Sequence, residues 1–185
     1  MYDEMYEEYE SKMIKTVESL QTQYSTIRAG RANASVLDRI KVEYYGTPTP
    51  INQIASISTP DPRTLVVQPW DASSLKLIEK AIMTSDLGIN PANDGRVLRL
   101  AFPQPTEERR KELIKQVHKN AEEAKVAVRN VRRDAVEKFK AQKKKSEITE
   151  DDLADVEKDL QKMTDEYIKE VDKVAEKKEA EIKEI

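Results

Sequence analysis

The stretch IKQVHKNAEEAKVAVRNVRRDA, residues 114–135, decides the fold. Its apolar residues recur at alternating spacings of three and four, the heptad pattern of a helix that packs against other helices. The seam consists of Ile114, Val117, Ala121, Ala124, Val128, Val131 and Ala135. In the overlapping stretch VAVRNVRRDAVEKFK, residues 126–140, the valines predict a buried face: Val126, Val128, Val131 and Val136. One helix cannot bury such a seam alone, so a helical bundle is predicted.

Two regions without glycine or proline flank a turn-rich middle. All four glycines and all eight prolines lie between residues 30 and 105, and both residue types are costly inside helices. Residues 1–29 therefore predict one long helix, with a seam of Tyr9, Met13, Val17, Leu20, Tyr24 and Ile27. Thr106 predicts the start of a second helix, and Thr149 with Asp152 resembles a capping box that starts a third. The third seam is Leu153, Val156, Leu160, Met163, Tyr167, Val171 and Val174.

The middle of the chain predicts a small α+β unit. Its strands are DRIKVEYYG (residues 38–46), the weaker INQIASIS (51–58), TLVVQ (64–68) and, after an Asp94-Gly95 turn, RVLRLAF (96–102). The segment SSLKLIEKAIMTSDLG, residues 73–88, predicts a helix with Leu75, Ile78 and Ile82 on one face. Gly88 is its predicted C-terminal stop.

Together these elements predict an α+β protein with two domains. Residues 1–30 and 105–185 form an elongated three-helix bundle, and residues 31–104 form an inserted small α/β domain of β/α/β sandwich-like form. The short link KKKSEI (143–148) predicts that the last two helices are antiparallel. A two-strand hinge is predicted where the insert leaves and rejoins the bundle, at Ala29, Gly30, Arg31, Phe102, Pro103, Gln104 and Pro105.

The net charge of −3 conceals a strong segregation along the chain. Residues 106–145 carry 14 Lys and Arg against 7 Asp and Glu, whereas residues 146–185 carry 7 against 15. The basic helix therefore presents a cationic face to an anionic partner, or it packs beside an acidic helix with no external partner. The charges alone leave both readings open.

Several functional classes are excluded or disfavoured. Without cysteine the chain has no disulfide or thiolate metal site, and no run of 18 apolar residues predicts a membrane span. The acidic start MYDEMYEEYE matches neither a secretory signal nor a transit peptide, which favours a cytoplasmic protein. The single histidine, His118, lies in a charged stretch, and no phosphate loop or nucleophile motif is present. The sequence therefore predicts no catalytic, cofactor or metal site.

Arginines form the strongest functional signal. On a helical wheel a basic stripe follows one side of the second helix beside the seam, at Lys125, Arg129, Arg132, Arg133 and Lys140. Arg28, Arg31, Arg109 and Arg110 extend it if the first helix packs alongside. Arginine makes bidentate contacts with phosphate, and the stripe lacks aromatic residues for base stacking. Folded RNA is therefore the favoured partner, and pairing with acids of the last helix is the alternative.

At this point two long stretches carry a family resemblance. IRAGRANASVLDRIKVEYYGTPTPINQIASIS (27–58) and TEERRKELIKQVHKNAEEAKVAVRNVRRDA (106–135) closely resemble the bacterial ribosome recycling factor family. The resemblance implies an L-shaped molecule, tRNA-like in outline, with a flexible hinge. It implies binding of the post-termination 70S ribosome, and dissociation into subunits with release from mRNA by elongation factor G and GTP. Initiation factor 3 would then keep the subunits apart.

The resemblance also implies particular contacts with large-subunit ribosomal RNA. These fall on Arg28, Arg31, Arg110, Arg129, Arg132 and Arg133, and Lys125 is added from the helical wheel alone. It assigns no residue to elongation factor G. A three-helix core that is fully paired predicts a monomer. Two other functions remain in competition: a helical adaptor that binds proteins, and an RNA chaperone or nuclease cofactor that binds naked RNA.

Overall fold

The computed structural model describes residues 3–27 and 32–184 and divides the chain into two compact units. One unit joins the N-terminal helix to residues 107–184, and the other is the segment between them. The first contains helices α1 (Asp3–Thr26), α3 (Glu107–Lys144) and α4 (Glu150–Lys183). The second contains six strands and helix α2 (Leu75–Met83). The protein is therefore α+β, as predicted.

The three long helices pack on one another, each against both others. Lys143 Nζ lies 3.2 Å from Glu150 Oε1 at one end of the α3–α4 pair, and His118 Nε2 lies 3.2 Å from Glu179 Oε2 towards the other. These contacts confirm that α3 and α4 are antiparallel. No helix in the described ranges is long and apolar enough to cross a membrane.

The start of α4 is a capping box. The Thr149 hydroxyl accepts a hydrogen bond from the Asp152 amide at 3.1 Å, and the Thr149 amide donates to Asp152 Oδ2 at 2.9 Å. These bonds lower the pKa of Asp152, mainly through the Thr149 amide. The box satisfies two backbone donors that a helix start would otherwise leave open, which confirms the prediction.

The bundle core follows the predicted periodicity most closely in α1. All six predicted seam residues of the first helical segment are buried: Tyr9, Met13, Val17, Leu20, Tyr24 and Ile27. In α3 the buried set is Leu113, Val117, Ala121, Ala124, Val128, Ala135 and Phe139. Ile114 and Val131, both predicted in the seam, are only half-buried. A strict heptad drifts around a 3.6-residue helix, so the true seam takes in Leu113 and Phe139 instead.

Val126 was wrongly predicted to be buried, since half of it (50%) is exposed to solvent. Val128 is fully buried two residues later, so the two valines must lie on opposite sides of the helix. In α4 the predicted Met163, Tyr167 and Val174 are half-buried. The core there also uses residues that the seam omitted: Thr164, Ala175 and Ile182. Thr164 is tolerated because its hydroxyl donates to the Leu160 carbonyl at 2.7 Å.

The sheet unit contains a hairpin and a four-stranded antiparallel sheet. The hairpin pairs β1 (Lys41–Tyr44) with β2 (Thr47–Pro50). The sheet has the order β3-β4-β6-β5, formed by β3 (Ala55–Asp61), β4 (Thr64–Pro69), β5 (Ala92–Asn93) and β6 (Leu98–Ala101). A core separate from that of the bundle includes Leu37, Val42, Ile51, Leu65, Val67, Ile78, Ile82, Leu98 and Leu100.

The strands predicted at 38–46, 64–68 and 96–102 are confirmed as β1, β4 and β6. The INQIASIS prediction is half right, because residues 51–53 form a 3₁₀ turn and only the second half enters β3. Its isoleucines recur every three residues, which is the period of a 3₁₀ helix. Strands β2 and β5 were not predicted, since β2 contains two prolines and β5 has two residues.

Helix α2 buries Leu75, Ile78 and Ile82 on one face, as predicted. However, it ends at Met83, so Gly88 is not its stop. The Thr84 hydroxyl donates to the Lys80 carbonyl at 2.9 Å, and the Ser85 hydroxyl donates to the Ile82 carbonyl at 2.6 Å. These side chains satisfy the last carbonyls of the helix and allow it to end early.

Two aromatic side chains of the sheet unit lie outside its core. Tyr45, in the β1–β2 turn, is 82% exposed, and Trp70, directly after β4, is 70% exposed. Tyr45 has a positive φ of 49°, which is uncommon for a residue with a side chain. The next residue, Gly46, has φ of 76°, so the pair forms the tight turn that a hairpin requires.

Candidate nucleic-acid interface

Three arginines in the middle of α3 carry the candidate site. Arg129 and Arg133 are exposed, and Arg132 is half-buried at the edge of the helix that faces α4. Within residues 3–27 and 32–184, none of the three guanidinium groups forms an ion pair or a side-chain hydrogen bond. Three neighbouring cations are therefore available to an external anion.

Local sequence explains why these arginines lack partners. An acid three or four residues away on a helix is the usual partner of a cation. Arg129 and Arg132 have no acidic residue at either spacing on either side. Arg133 has Glu137 four residues later, but Lys140 Nζ lies 3.6 Å from the Glu137 carboxylate. Spacing to the nearest acids is thus a sequence signal that separates Arg129 and Arg132 from the other cations of α3, whereas Arg133 is separated from them only by the Lys140–Glu137 contact.

The arginines at the start of α3 differ from the central three. Arg109 pairs with Glu112 at 3.1 Å, and Arg110 pairs with Glu107 at 3.4 Å. The Arg110 side chain is 24% exposed, and its Nε is buried without a hydrogen-bond partner among the described atoms. Both carboxylates are exposed, and pairs with an exposed partner contribute only about 0.2–1 kcal/mol, so a stronger anionic ligand could replace them.

Lys125 lies on the same side of α3 but has partners within the bundle. Its Nζ lies 2.5 Å from Asp172 Oδ1 on α4 and 3.3 Å from Glu122 Oε1 on α3. Only 17% of its side chain is exposed, and the hydrogen bond to Asp172 is the main cause of its raised pKa. Lys125 therefore connects two helices of the bundle, a contact that the helical wheel could not show.

A repeating register between α3 and α4 underlies that contact. His118 faces Glu179 and Lys125 faces Asp172, so both sides advance by seven residues between the two contacts. Sequence reasoning missed Asp172 and Glu179 as partners because the pairing depends on how the two helices are aligned. The heptad spacing of residues 118 and 125 was the available signal.

Arg132 borders a groove of about 550 Å³ between α3 and α4. Its walls are formed by Val136 and Lys140 of α3 and by residues of α4: Ala154, Glu157, Lys158 and Gln161. Three of the lining side chains are cationic. The groove is open to solvent beside the free guanidinium group, a position at which a phosphate could be bound.

Other predicted site residues are placed as follows. Arg28, Ala29, Gly30 and Arg31 lie outside the described residues. Phe102 is half-buried against the core of the sheet unit, and its amide donates to the Arg63 carbonyl at 2.8 Å. Pro103, Gln104 and Pro105 follow in neither helix nor strand.

His118, the single histidine, is exposed and contacts Glu179. The Glu179 carboxylate also accepts a charged hydrogen bond from Lys183 at 2.6 Å, which is the main reason for its lowered pKa. Across the described ranges no three His, Asp or Glu side chains are arranged to hold a metal ion.

Comparisons with known proteins point to one family. The family model for ribosome recycling factor matches residues 20–182. The ribosome-recycling factor of Acetivibrio thermocellus is 61% identical over 97% of this chain and 98% of its own length. That of Listeria welshimeri is 57% identical over the full length of both chains.

Solved structures give the same result. A solution structure of the ribosome recycling factor is 42% identical, with a TM-score of 0.67 over 99% of this chain and 97% of that one. A second match presents models for the T. thermophilus ribosome recycling factor and the E. coli elongation factor G bound to the E. coli post-termination complex. It is 50% identical, with a TM-score of 0.60 and 98% coverage of both chains.

Proposed function

The chain belongs to the ribosome recycling factor family, and on this basis we propose that it binds the post-termination ribosome. With elongation factor G and GTP it promotes dissociation into subunits and release from mRNA. Identity of 61% over nearly the whole chain supports this assignment. So does the matched structure in which a ribosome recycling factor and elongation factor G are bound to a post-termination complex. Initiation factor 3 is the expected next factor, since separated subunits must be kept apart.

The contact with ribosomal RNA is made by the arginines of α3. The observation that carries this assignment is that Arg129, Arg132 and Arg133 have no acidic partner in the described chain. A guanidinium group binds phosphate through two parallel hydrogen bonds, which suits a fixed helix that meets a folded RNA. Family resemblance adds Arg28, Arg31 and Arg110 to this surface.

Packing of α3 determines where these arginines point. Val128 and Ala135 are fully buried, and they lie on either side of Arg129, Arg132 and Arg133 in the sequence. Because the buried residues fix the rotation of α3 about its axis, the guanidinium groups lie on a defined side of the helix before RNA binds. Little further ordering is then needed when RNA binds, which favours affinity.

Movement is assigned to the hinge between the domains. We propose that Ala29, Gly30 and Arg31, with Phe102 through Pro105, let the small domain (residues 31–104) move relative to the bundle (1–30 and 105–185). Irregular backbone at Pro103, Gln104 and Pro105 supports this role. Elongation factor G would act on the small domain while the bundle holds the ribosome.

The protein works by binding and not by catalysis, and GTP hydrolysis belongs to its partner. A bundle core closed by its own three helices supports a monomer. The proposed function places the protein in the cytoplasm, since bacterial ribosomes are there.

Co-sedimentation with empty ribosomes at two salt concentrations tests the RNA contact. We expect Arg132→Ala to weaken binding about tenfold or more, because a charge-assisted hydrogen bond contributes roughly 1.5–3 kcal/mol. The slope of log affinity against log salt should also fall by about one phosphate contact. Lys173→Ala is the matched control, since it removes an exposed cation of α4 that does not line the groove, and it should bind like wild type.

Equal sedimentation of Arg132→Ala and wild type would move the contact away from this arginine. A large drop in melting temperature would instead make Arg132 part of the bundle core. Binding of naked RNA as strong as binding of ribosomes would favour the RNA chaperone. Failure of the wild-type protein to sediment would favour the helical adaptor.

A further inference from the structure

A heptad series of polar contacts between α3 and α4 is interrupted at one position. His118 meets Glu179, and Lys125 meets Asp172 seven residues later on α3 and seven residues earlier on α4. One more heptad leads to Arg132 on α3 and Asp165 on α4. The same register therefore places an arginine opposite an aspartate, which is the strongest kind of pair the series could contain.

This third pair is not formed. Asp165 instead accepts a hydrogen bond from the Gln161 amide, whose Nε2 lies 2.9 Å from Asp165 Oδ1. Gln161 is one turn before Asp165 on α4, and it lines the same groove as Arg132. Among the described side chains, Arg132 remains without a partner.

We propose that Gln161 keeps Arg132 available for RNA by holding the carboxylate of Asp165. Gln161 is thus a positioning residue that acts through Asp165, and among the described side chains it forms no hydrogen bond with Arg132. This inference rests on the proposed function, because availability of Arg132 matters only if Arg132 binds ribosomal RNA.

The arrangement has a physical reason. Glutamine and aspartate four residues apart on a helix stabilise each other modestly. An exposed Arg–Asp pair is also weak, so a local hydrogen bond of similar strength can decide between the two arrangements. Without the glutamine amide, the carboxylate can pair with Arg132 across the register, or with Lys162 and Lys169 at three and four residues away on α4. Only the pairing with Arg132 changes the environment of that guanidinium group.

Gln161→Ala is the direct test, because it removes the amide without changing any charge. In ribosome co-sedimentation we expect binding to weaken about two- to fivefold, a size set by an exposed ion pair. In the Asp165→Asn background the same Gln161→Ala change should have no effect, since the competing carboxylate is gone. Gln116→Ala, which removes another exposed glutamine from the bundle, is the matched control and should bind like wild type.

A second measurement does not involve the ribosome. The Arg132 Nε–Hε resonance in NMR reports whether the guanidinium group is paired with a carboxylate. We expect Gln161→Ala to shift this resonance, because the released Asp165 carboxylate becomes its partner. Adding Asp165→Asn should remove that shift.

The two measurements separate the possible failures. An Arg132 Nε–Hε resonance that Gln161→Ala leaves unchanged, or that shifts equally when Asp165→Asn is present, would overturn the inference. Weaker ribosome binding by Gln161→Ala that persists with Asp165→Asn would overturn it too. If the Arg132 resonance responds as expected while Arg132→Ala itself binds ribosomes normally, the proposed RNA contact fails and Gln161 has no role in binding.

Discussion

The bundle and the sheet unit are held in shape by different means. The described residues of α1, α3 and α4 include neither glycine nor proline, whereas the sheet unit contains three glycines with positive φ: Gly46, Gly88 and Gly95. Charge differs as well. Residues 32–104 carry 7 Lys and Arg and 7 Asp and Glu, whereas the bundle segregates basic α3 from acidic α4.

The bundle and the sheet unit therefore depend on different structural features. A bundle whose shape comes from periodic burial leaves the other sides of each helix free, so one side of α3 can collect arginines at no cost to the core. A sheet unit whose shape comes from turns depends on backbone conformations at a few positions. Substitutions in the core should therefore destabilise the bundle most, and substitutions in the turns should destabilise the sheet unit most.

The largest effect is expected from the bundle core. Phe139 is fully buried and packs with its ring 6.0 Å from that of Tyr6, edge to face. Phe139→Ala should lower the free energy of unfolding of the bundle by about 3–5 kcal/mol. Hydrogen exchange by mass spectrometry should show faster exchange in peptides of α3 and unchanged exchange in peptides of β6.

Phe139→Leu serves as the control, because it keeps most of the volume and should cost much less. Equal loss of protection in α3 and β6 would mean that the two units unfold together. The bundle and the sheet unit would then differ in composition but not in stability.

A smaller effect is expected from a turn of the sheet unit. Gly95 has φ of 92°, and a Cβ built there meets no atom within 4 Å. Gly95→Ala should therefore cost about 1–2 kcal/mol through backbone strain alone. Hydrogen exchange in β6 should accelerate and exchange in α3 should not, the reverse of the Phe139→Ala pattern.

Gly95→Asn should cost less than alanine, since asparagine tolerates a left-handed conformation better. Equal costs for the two substitutions would show that space, and not φ, limits this turn. The turn also depends on Asp94, whose carboxylate accepts hydrogen bonds from the amides of Val97 at 2.8 Å and Arg96 at 2.9 Å.

The last effect is absent at neutral pH and appears in the bundle only at alkaline pH. Burial raises the pKa of Tyr24 to about 12, and burial with a hydrogen bond to Glu10 raises that of Tyr167 to about 12. An unfolded tyrosine has a pKa of about 10. A raised folded pKa stabilises the fold below pH 10, and that contribution is lost as the pH rises from about 10 to about 12.

Chemical denaturation between these pH values measures the loss. The double variant Tyr24→Phe with Tyr167→Phe should show a flatter dependence on pH than wild type, because neither position can ionise. Tyr45→Phe, at an exposed position of the sheet unit, should follow the wild-type curve. A double variant as steep as wild type would assign the alkaline loss to other groups.

The helices could be predicted because the periodic spacing of their buried residues is visible in the sequence alone. Every predicted seam residue from Tyr9 to Ile27 is buried, and the Thr149 capping box forms as predicted. Predictions failed where the burial of a side chain, or the end of a helix, depends on contacts with other residues. Phe139 and Thr164 belong to the core because of what packs against them, and Gly88 is not the stop of α2 because Thr84 and Ser85 end it first.

The candidate site shows the same division. Arg129, Arg132 and Arg133 could be selected from the wheel, since their own helix fixes the side that they occupy. The lack of nearby acids is visible in the sequence for Arg129 and Arg132 alone. Lys125 and Arg132 are indistinguishable on that wheel. Only the register with α4 gives Lys125 the partner Asp172 and leaves Asp165 to Gln161.

Because Trp70 is exposed to solvent, its fluorescence can report binding at the sheet unit. It is the single tryptophan of the chain, so ultraviolet emission at long wavelength comes from one place in the sheet unit. Because 70% of its surface is open to solvent, dissolved quenchers such as acrylamide can collide with it. A partner that covers the region around Trp70 would shield it, so binding at that unit could be followed in real time without an attached dye.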